Sequence, residues 1–222
     1  MEKDVIEKLV REVVDELAIP GKTNTSRPNP VRTSGECIPV SVSNRHLHIS
    51  QEHLELLFGK GYQLQNLKDL SQPGQYAAKE TVTIVGPKGA IPKVRILGPV
   101  RPATQVELSG TDTRTLGIKA PLRESGDIKG SFPITIVGPQ GSVYLKEGAI
   151  RAWRHIHLKK ADAAKYGLKD RDVVSVRIKG DRGGVMEHVI ARVSDSYALD
   201  MHIDTDEGNA FGIEPGTMAE IV

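Results

Sequence analysis

Hydrophobic and polar residues recur with two different periods along this chain, and the first period predicts a helix within residues 1–20. Between residues 2 and 18 the apolar residues are spaced three or four apart, as in one stripe of a helix: Val5, Ile6, Leu9, Val10, Val13, Val14 and Leu17. Pro20 and Gly21 end this pattern, and the polar residues 21–36 are predicted to be a flexible linker. A helix tethered in this way is expected to cover its stripe against its own domain or against another protein.

From Cys37 onward the period changes to two, which predicts short strands joined by tight turns. Two strand-and-turn segments are near copies, ETVTIVGPKG at residues 80–89 and FPITIVGPQG at residues 132–141. The motif Arg-His-x-His also occurs twice, followed each time by a short predicted helix, although these elements have a different order in each half. The pattern favours a mainly β fold of two small β-barrels with interleaved strands, capped by short helices.

The composition excludes several classes of function. The 222 residues carry a formal net charge of +2 and only 4% are aromatic, so a basic surface and stacking platforms for nucleic acid are not expected. The single cysteine cannot form an internal disulfide, and no apolar run approaches the ~20 residues that span a bilayer. The first residues lack the apolar core of a signal peptide. We therefore expect a cytoplasmic protein that binds neither nucleic acid nor membranes.

Candidate chemistry is concentrated in two short histidine pairs. Arg-His-x-His occurs at residues 45–48 and at residues 154–157, and these stretches hold four of the seven histidines. Both stretches are predicted strands, on which residues i and i+2 face the same side, ~6.6 Å apart. The two imidazoles of each pair can then converge on one metal ion. Because the arrangement occurs twice, metal binding is favoured over two ordinary surface pairs.

Each pair still lacks a third ligand, since catalytic zinc usually takes three protein ligands and keeps one position open. His53 falls in a predicted helix, and His188 alternates with apolar residues as an exposed strand residue does. His202 is a better candidate, because its predicted strand leads into an acidic turn and Asp204, on the same face, can orient the imidazole. Glu107, on a short predicted strand, is equally well interpreted as a ligand or as an exposed glutamate.

Three further features have competing interpretations. Arg101 follows a Gly-Pro turn and is either a surface residue or a clamp for an anion such as phosphate. Residues 46–59 match part of the cupin metal motif, with Glu52 as a carboxylate ligand, but residues 50–58 are predicted to be helical. Cys37 has no nearby base, so a structural role is favoured over that of a nucleophile. No Gly-x-Ser-x-Gly, Walker loop or dinucleotide fingerprint occurs.

A specific resemblance to a known family is carried by four segments: SNRHLH, GPVRPATQVELS, RHIH and HIDTDEGNA. Together they resemble the PduL-type phosphate propanoyltransferases, the phosphotransacylases of bacterial microcompartments. The resemblance implies a first barrel made of residues 37–44 with 153–222 and a second made of residues 45–152, with a two-zinc site between them. It also implies that residues 1–20 are a targeting helix, like the peptides that bring such enzymes into a shell.

The same resemblance assigns the ligands that the residues alone left open. It implies two zinc ions, each held by three side chains: His46, His48 and Glu107 for one, and His155, His157 and His202 for the other. Arg101 matches the arginine that contacts phosphate in the family. Asn44 and Asp204 are expected to orient the ligand side chains by hydrogen bonds without binding the metal themselves.

The function that the resemblance implies is transfer of an acyl group, such as propanoyl, from coenzyme A to phosphate. The expected partners are acyl-CoA, CoA and phosphate, together with a microcompartment shell or other cargo reached through residues 1–20, in a homo-oligomer. The residues leave three alternatives open. These are a thioesterase-type hydrolase with the same ligands, a non-haem iron enzyme, and a shell component with structural zinc.

Overall fold

The structure is a computed structural model, and it describes residues 37–222. The helix predicted within residues 1–20 and the linker predicted at residues 21–36 lie outside the described residues. Within residues 37–222 no helix has the length and the apolar character that crossing a membrane requires.

The described residues form a mainly β structure with four short helices. The strands are β1 Ile38–Ser43, β2 His46–His48, β3 Asn66–Asp69, β4 Tyr76–Gly86, β5 Gly89–Gly98, β6 Gln105–Glu107, β7 Leu122–Arg123, β8 Phe132–Val137, β9 Ser142–Ala152, β10 His155–Leu158, β11 Val173–Ile178, β12 Gly184–Val193, β13 Asp200–Asp204 and β14 Met218–Ile221. The helices are α1 Gln51–Phe58, α2 Gly110–Leu116, α3 Lys160–Tyr166 and α4 Thr205–Phe211.

Two closed six-stranded barrels account for most of these strands. The first barrel has the order β1-β13-β10-β12-β11-β14 and closes between β14 and β1. The second has the order β4-β5-β2-β6-β9-β8 and closes between β8 and β4, with β3 added beside β4 and β7 beside β9. The expectation of two small β-barrels with interleaved strands and short capping helices is confirmed. The strands are interleaved because β1 belongs to the first barrel although it precedes the whole of the second.

Each barrel has its own apolar core, built by the alternation of residues along its strands. In β11 every second residue is buried, so Val174, Val176 and Ile178 point into the first barrel. Leu47 in β2 and Ile156 in β10 are fully buried in the cores of the second and first barrel, respectively. The histidines on either side of each of these residues therefore point out of the barrels. They are nevertheless buried, which places them where the two barrels meet.

The chain passes between the barrels twice, at residues 44–45 and at residues 153–154. Each crossing leads directly into a strand that begins with a histidine, namely β2 and β10. The antiparallel neighbour of β2 is β6, with His46 opposite Glu107, and the antiparallel neighbour of β10 is β13, with His155 opposite His202. The two barrels thus present the same local arrangement to each other.

The strands that lie opposite the histidine pairs are each followed by a capped helix. Ser109 begins α2 and Asp204 begins α4, and each forms a capping box with an acidic residue three positions later. The two helices touch each other, because the backbone N–H of Thr111 donates to Oδ2 of Asp206 at 2.8 Å. This contact helps to fix the position of one barrel relative to the other, and with it the spacing of the two histidine pairs.

Candidate metal centre

The first group of candidate ligands lies at the junction of β2 and β6 in the second barrel. His46 Nε2 is 3.5 Å from Glu107 Oε2, and His48 Nε2 is 3.7 Å from Glu107 Oε1. All three side chains are buried. The pairing of β2 with β6 brings Glu107 to the histidines from a strand far away in the sequence.

The second group lies at the matching junction of β10 and β13 in the first barrel. The ring centroid of His202 is 5.4 Å from that of His155 and 4.8 Å from that of His157. In each of the two groups, one candidate ligand atom from every residue lies within 4.8 Å of the others. Within the described residues, these are the two groups in which three such side chains converge.

Backbone carbonyl groups fix the first histidine of each pair. Nδ1 of His46 is 2.8 Å from the carbonyl oxygen of Asn44, and Nδ1 of His155 is 2.7 Å from that of Trp153. A carbonyl can only accept, so Nδ1 of each ring donates, and in the neutral form of the ring the lone pair is then on Nε2. Asn44, predicted to support the ligands from behind, makes this contact through its backbone rather than its side chain.

Glu107 is held as a carboxylate by its neighbours. Its Oε1 accepts from Nε2 of Gln105 and from Oγ of Ser125, both at 2.6 Å. Burial raises the pKa of Glu107, but the neighbouring His46 and His48 and the hydrogen bond from Ser125 outweigh it and lower the pKa to about 2. The side chain is therefore ionised at neutral pH, as a metal ligand must be.

The pKa values of three buried histidines, His48, His155 and His157, are lowered so far that these rings are neutral at the same pH. Burial, followed by the influence of His46, lowers the pKa of His48 to about 3. Burial and the adjacent His202 lower the pKa of His155 to about 4, and burial and His155 lower that of His157 to about 2. Neutral imidazoles have the lone pair that a metal ion needs.

The carboxylate beside His202 is that of Asp200, whereas the sequence pointed to Asp204. Nε2 of His202 is 3.0 Å from Oδ2 of Asp200, which is 2% exposed. Asp204 instead accepts a hydrogen bond from the backbone N–H of Glu207 at 2.8 Å and begins α4. Asp200 and Asp204 are each two residues away from His202 along β13, so both lie on the same face of the strand as His202. The alternation therefore did not distinguish them. The capping-box spacing from Asp204 to Glu207 is the signal that assigns Asp204 to the helix.

The arginine before each histidine pair reaches the capped helix of its own barrel. Nε of Arg45 is 2.7 Å from Oδ1 of Asp112, and Nη1 of Arg154 is 3.0 Å from Oε1 of Glu207. Both acids are the third residue of a helix and take part in its capping box. Each arginine thus ties the start of a histidine strand to the helix that follows the opposite strand. The repeated Arg-His-x-His motif therefore combines a structural residue with two candidate ligands.

A cavity of about 1030 Å³ is lined by all six candidate ligands and by Arg101, which the sequence had singled out. The backbone N–H of Arg101 donates to the carbonyl oxygen of Ile49 at 2.8 Å, which anchors the arginine just beyond β2. Burial is the main cause that lowers the pKa of Arg101, although a guanidinium stays charged at neutral pH. Its charge also lowers the pKa values of His48 and His157, so Arg101 lies near both groups.

Two further residues of this cavity were not predicted. Arg192 lies beside His157 because β10 and β12 run parallel with these residues in register. Its guanidinium carbon is 5.8 Å from the ring centroid of Tyr197, and that ring is 4.4 Å from the ring of His157. Only the pairing of distant strands brings these side chains together, so no local pattern in the sequence could have indicated them.

The remaining candidates from the sequence lie elsewhere. Nδ1 of His53 is 2.7 Å from Oγ1 of Thr104, and His53 belongs to α1, as predicted. His188 is an exposed residue of β12, with 70% of its side chain accessible. Residues 51–58 form a helix rather than the strands of a cupin, so the cupin interpretation of Glu52 is wrong.

The donor set and spacing of the first group fit a zinc ion. With bonds of about 2.1 Å in a tetrahedral arrangement, neighbouring ligand atoms are about 3.4 Å apart. The distances of 3.5 and 3.7 Å between the histidine nitrogens and the Glu107 oxygens are close to this value. The second group offers three imidazoles, which are also suitable zinc ligands. Both groups are compatible with a metal ion.

Comparisons with known proteins point to one family. A family model described as phosphate propanoyltransferase matches residues 39–214. A phosphate propanoyltransferase of Thermotoga maritima is 54% identical over 186 residues, which cover 83% of this chain and 89% of the relative. One of Lachnoclostridium phytofermentans is 56% identical over 190 residues, covering 85% and 89%. One of Rhodopseudomonas palustris is 44% identical over 221 residues, covering 100% and 98%.

Proposed function

The chain belongs to the phosphate propanoyltransferase family and is an acyltransferase, and we propose that it uses zinc to transfer the propanoyl group of propanoyl-CoA to phosphate. The observation that carries this proposal is that two three-ligand groups and Arg101 line one cavity. Phosphate needs a cationic site, and a thioester carbonyl needs a group that withdraws its electrons. A cavity bordered by a guanidinium and two candidate metal groups supplies both requirements.

The proposed reaction is a direct displacement on the thioester. An oxygen atom of phosphate forms a bond to the carbonyl carbon, the carbon–sulfur bond breaks, and the electron pair leaves with the CoA thiolate. Phosphate is already an anion at neutral pH, so a strong general base is not required. Cys37 is exposed and is not among the residues that line the cavity, which fits a route without a covalent acyl-enzyme.

Within this scheme the protein's own residues bind and orient the two substrates. Arg101 holds phosphate through paired hydrogen bonds, and Arg192 adds a second positive charge on the side of His157. Holding both substrates in one cavity replaces an encounter in solution by a reaction between neighbours, which is a large part of the rate. Zinc held by the two ligand groups would act as a Lewis acid that polarises the carbonyl and stabilises the developing oxyanion.

A thiol-release assay with propanoyl-CoA tests this function. We expect CoA release that depends on phosphate, disappears after treatment with a chelator and returns when zinc is added. Release without phosphate would favour the hydrolase, and restoration by ferrous iron but not by zinc would favour the iron enzyme. A structural zinc protein would release no CoA under any of these conditions.

The role of Arg101 has its own test. Arg101→Ala is expected to raise the KM for phosphate at least tenfold while the zinc content stays at the wild-type value, because Arg101 is not a ligand. Arg177→Ala, at an exposed position of β11, is the matched control and should behave like wild type. Unchanged phosphate kinetics in Arg101→Ala would exclude the clamp.

The remaining proposals concern residues 1–20 and the surroundings of the enzyme. We propose that this segment targets the protein to a bacterial microcompartment in the cytoplasm, where it binds shell or cargo proteins, and that the enzyme is a homo-oligomer. The apolar stripe of the segment supports this proposal. Deleting residues 1–20 should lower self-association in analytical ultracentrifugation and leave the thiol-release activity intact. Loss of activity would instead assign the segment to the catalytic unit.

A further inference from the structure

The two halves of the centre also match at a position that holds no candidate ligand. Counting back two residues from the third ligand gives Gln105 in β6 and Asp200 in β13. Gln105 lies opposite His48 and Asp200 lies opposite His157 in the strand pairing. Both side chains are buried, Gln105 at 3% and Asp200 at 2% exposure.

The chemistry of these two side chains is opposite, and each suits its ligand. Glu107 is a carboxylate, and Gln105 donates a hydrogen bond to it at 2.6 Å from Nε2. His202 is an imidazole, whose ring N–H can donate, and Asp200 offers a carboxylate oxygen 3.0 Å from Nε2 of that ring. Gln105 thus donates a hydrogen bond to its accepting neighbour Glu107. Asp200 accepts one from its donating neighbour His202.

We propose that Asp200 is a positioning residue that fixes His202 with its proton on Nε2 and its lone pair on Nδ1. His202 then faces the metal site with Nδ1, whereas His155, whose Nδ1 is held by the carbonyl of Trp153, faces it with Nε2. Within the three-histidine group, His155 on β10 and His202 on β13 therefore face the metal site with different ring nitrogens. This inference rests on the proposed zinc site, because it specifies how one ligand is prepared for the metal.

The surroundings of Asp200 argue against a purely structural role. Its Oδ2 accepts from Oγ of Ser41 at 2.8 Å as well as from His202. Its Oδ1 is buried and makes no hydrogen bond with the described residues. A buried carboxylate with an unsatisfied oxygen is costly, so an uncharged residue would serve packing better. The charge is useful where it holds the N–H of an imidazole that must keep one orientation.

Zinc binding measured by competition with a chromogenic chelator tests the proposal. Asp200→Ala is expected to weaken one of the two zinc sites about 10–100-fold and to leave the other unchanged. Asp200→Asn, which keeps the shape and an accepting oxygen, should recover part of this loss. Ser41→Ala is the matched control, since it removes a hydrogen bond that Oδ2 accepts from a residue other than His202, and it should leave both affinities within about twofold of wild type.

A spectroscopic readout separates positioning from folding. Long-range proton–nitrogen correlation spectra assign the protonated nitrogen of each imidazole, with and without zinc. We expect the proton of His202 on Nε2 in wild type and in Ser41→Ala, and loss of this preference in Asp200→Ala. A proton on Nδ1 of His202 in the wild-type protein would overturn the inference.

The outcomes distinguish the inference from the proposed function. If the wild-type protein binds no zinc, the zinc dependence of the proposed function is wrong. The spectra of the metal-free protein still decide which nitrogen of His202 is protonated. If wild type binds two zinc ions and Asp200→Ala binds both with equal affinity, the proposed function stands and the role of Asp200 is excluded. If Asp200→Ala does not fold, Asp200→Asn provides the same two measurements.

Discussion

Acidification is expected to destabilise the metal-free protein steeply, because three buried histidines resist protonation in the folded state. Burial, aided by neighbouring histidines, lowers the pKa of His48 to about 3, that of His155 to about 4 and that of His157 to about 2. In the unfolded chain each titrates near 6.5. Below that pH the unfolded state binds more protons than the folded state, so the free energy of unfolding falls as the pH is lowered.

The size of this effect can be worked out from the pKa values. All three folded values lie below pH 5.5, so the loss between pH 7 and pH 5.5 is set almost entirely by protonation of the unfolded chain. It amounts to roughly 4 kcal/mol for the three histidines together. This is a large fraction of the roughly 5–15 kcal/mol that stabilises a typical protein.

Urea unfolding of the chelator-treated protein at pH 7.0, 6.0 and 5.5, followed by circular dichroism, measures this loss. His157→Gln should reduce the pH dependence by about one third, because one of the three groups is removed. His188→Gln is the matched control, since 70% of that side chain is exposed, and it should keep the wild-type pH dependence. A wild-type loss below about 1 kcal/mol over this range would refute the reasoning.

Two further predictions concern stability, and urea unfolding at pH 7 measures both. Arg45→Ala is expected to cost about 2 kcal/mol and Arg154→Ala less than about 1 kcal/mol, because Asp112 is 3% exposed whereas Glu207 is 26% exposed. Equal costs would contradict this ranking. Ile156→Ala should cost about 2–5 kcal/mol because it empties a fully buried position in the first barrel. A cost below about 1 kcal/mol would mean that the core refills the cavity.

Much of the fold could be predicted from the sequence because its strands are short and their signals are local. The duplicated Gly-Pro turns and the alternation in segments such as β11 depend on neighbouring residues alone. The histidine pairs could be recognised for the same reason, since i and i+2 on a strand share a face whatever the strand pairs with.

The third ligands could not be worked out from local pattern. Glu107 and His202 join the histidine pairs through strand pairing between distant parts of the chain, and the resemblance to a family supplied these assignments. Arg192 depends on the parallel register of β10 and β12 in the same way. Asp200 lies at a position that the alternation allowed, but the choice between it and Asp204 required the capping box of α4.

The interleaved strand order also sets the sequence of events during translation. All strands of the second barrel lie between β2 and β9, so this barrel can close once residue 152 has left the ribosome. β1 emerges first but must wait for β13 and β14, its only neighbours in the barrel. Closing so long a loop is slow. His202 arrives on one of these late strands, so a nascent chain can complete the candidate ligand group of the second barrel well before that of the first.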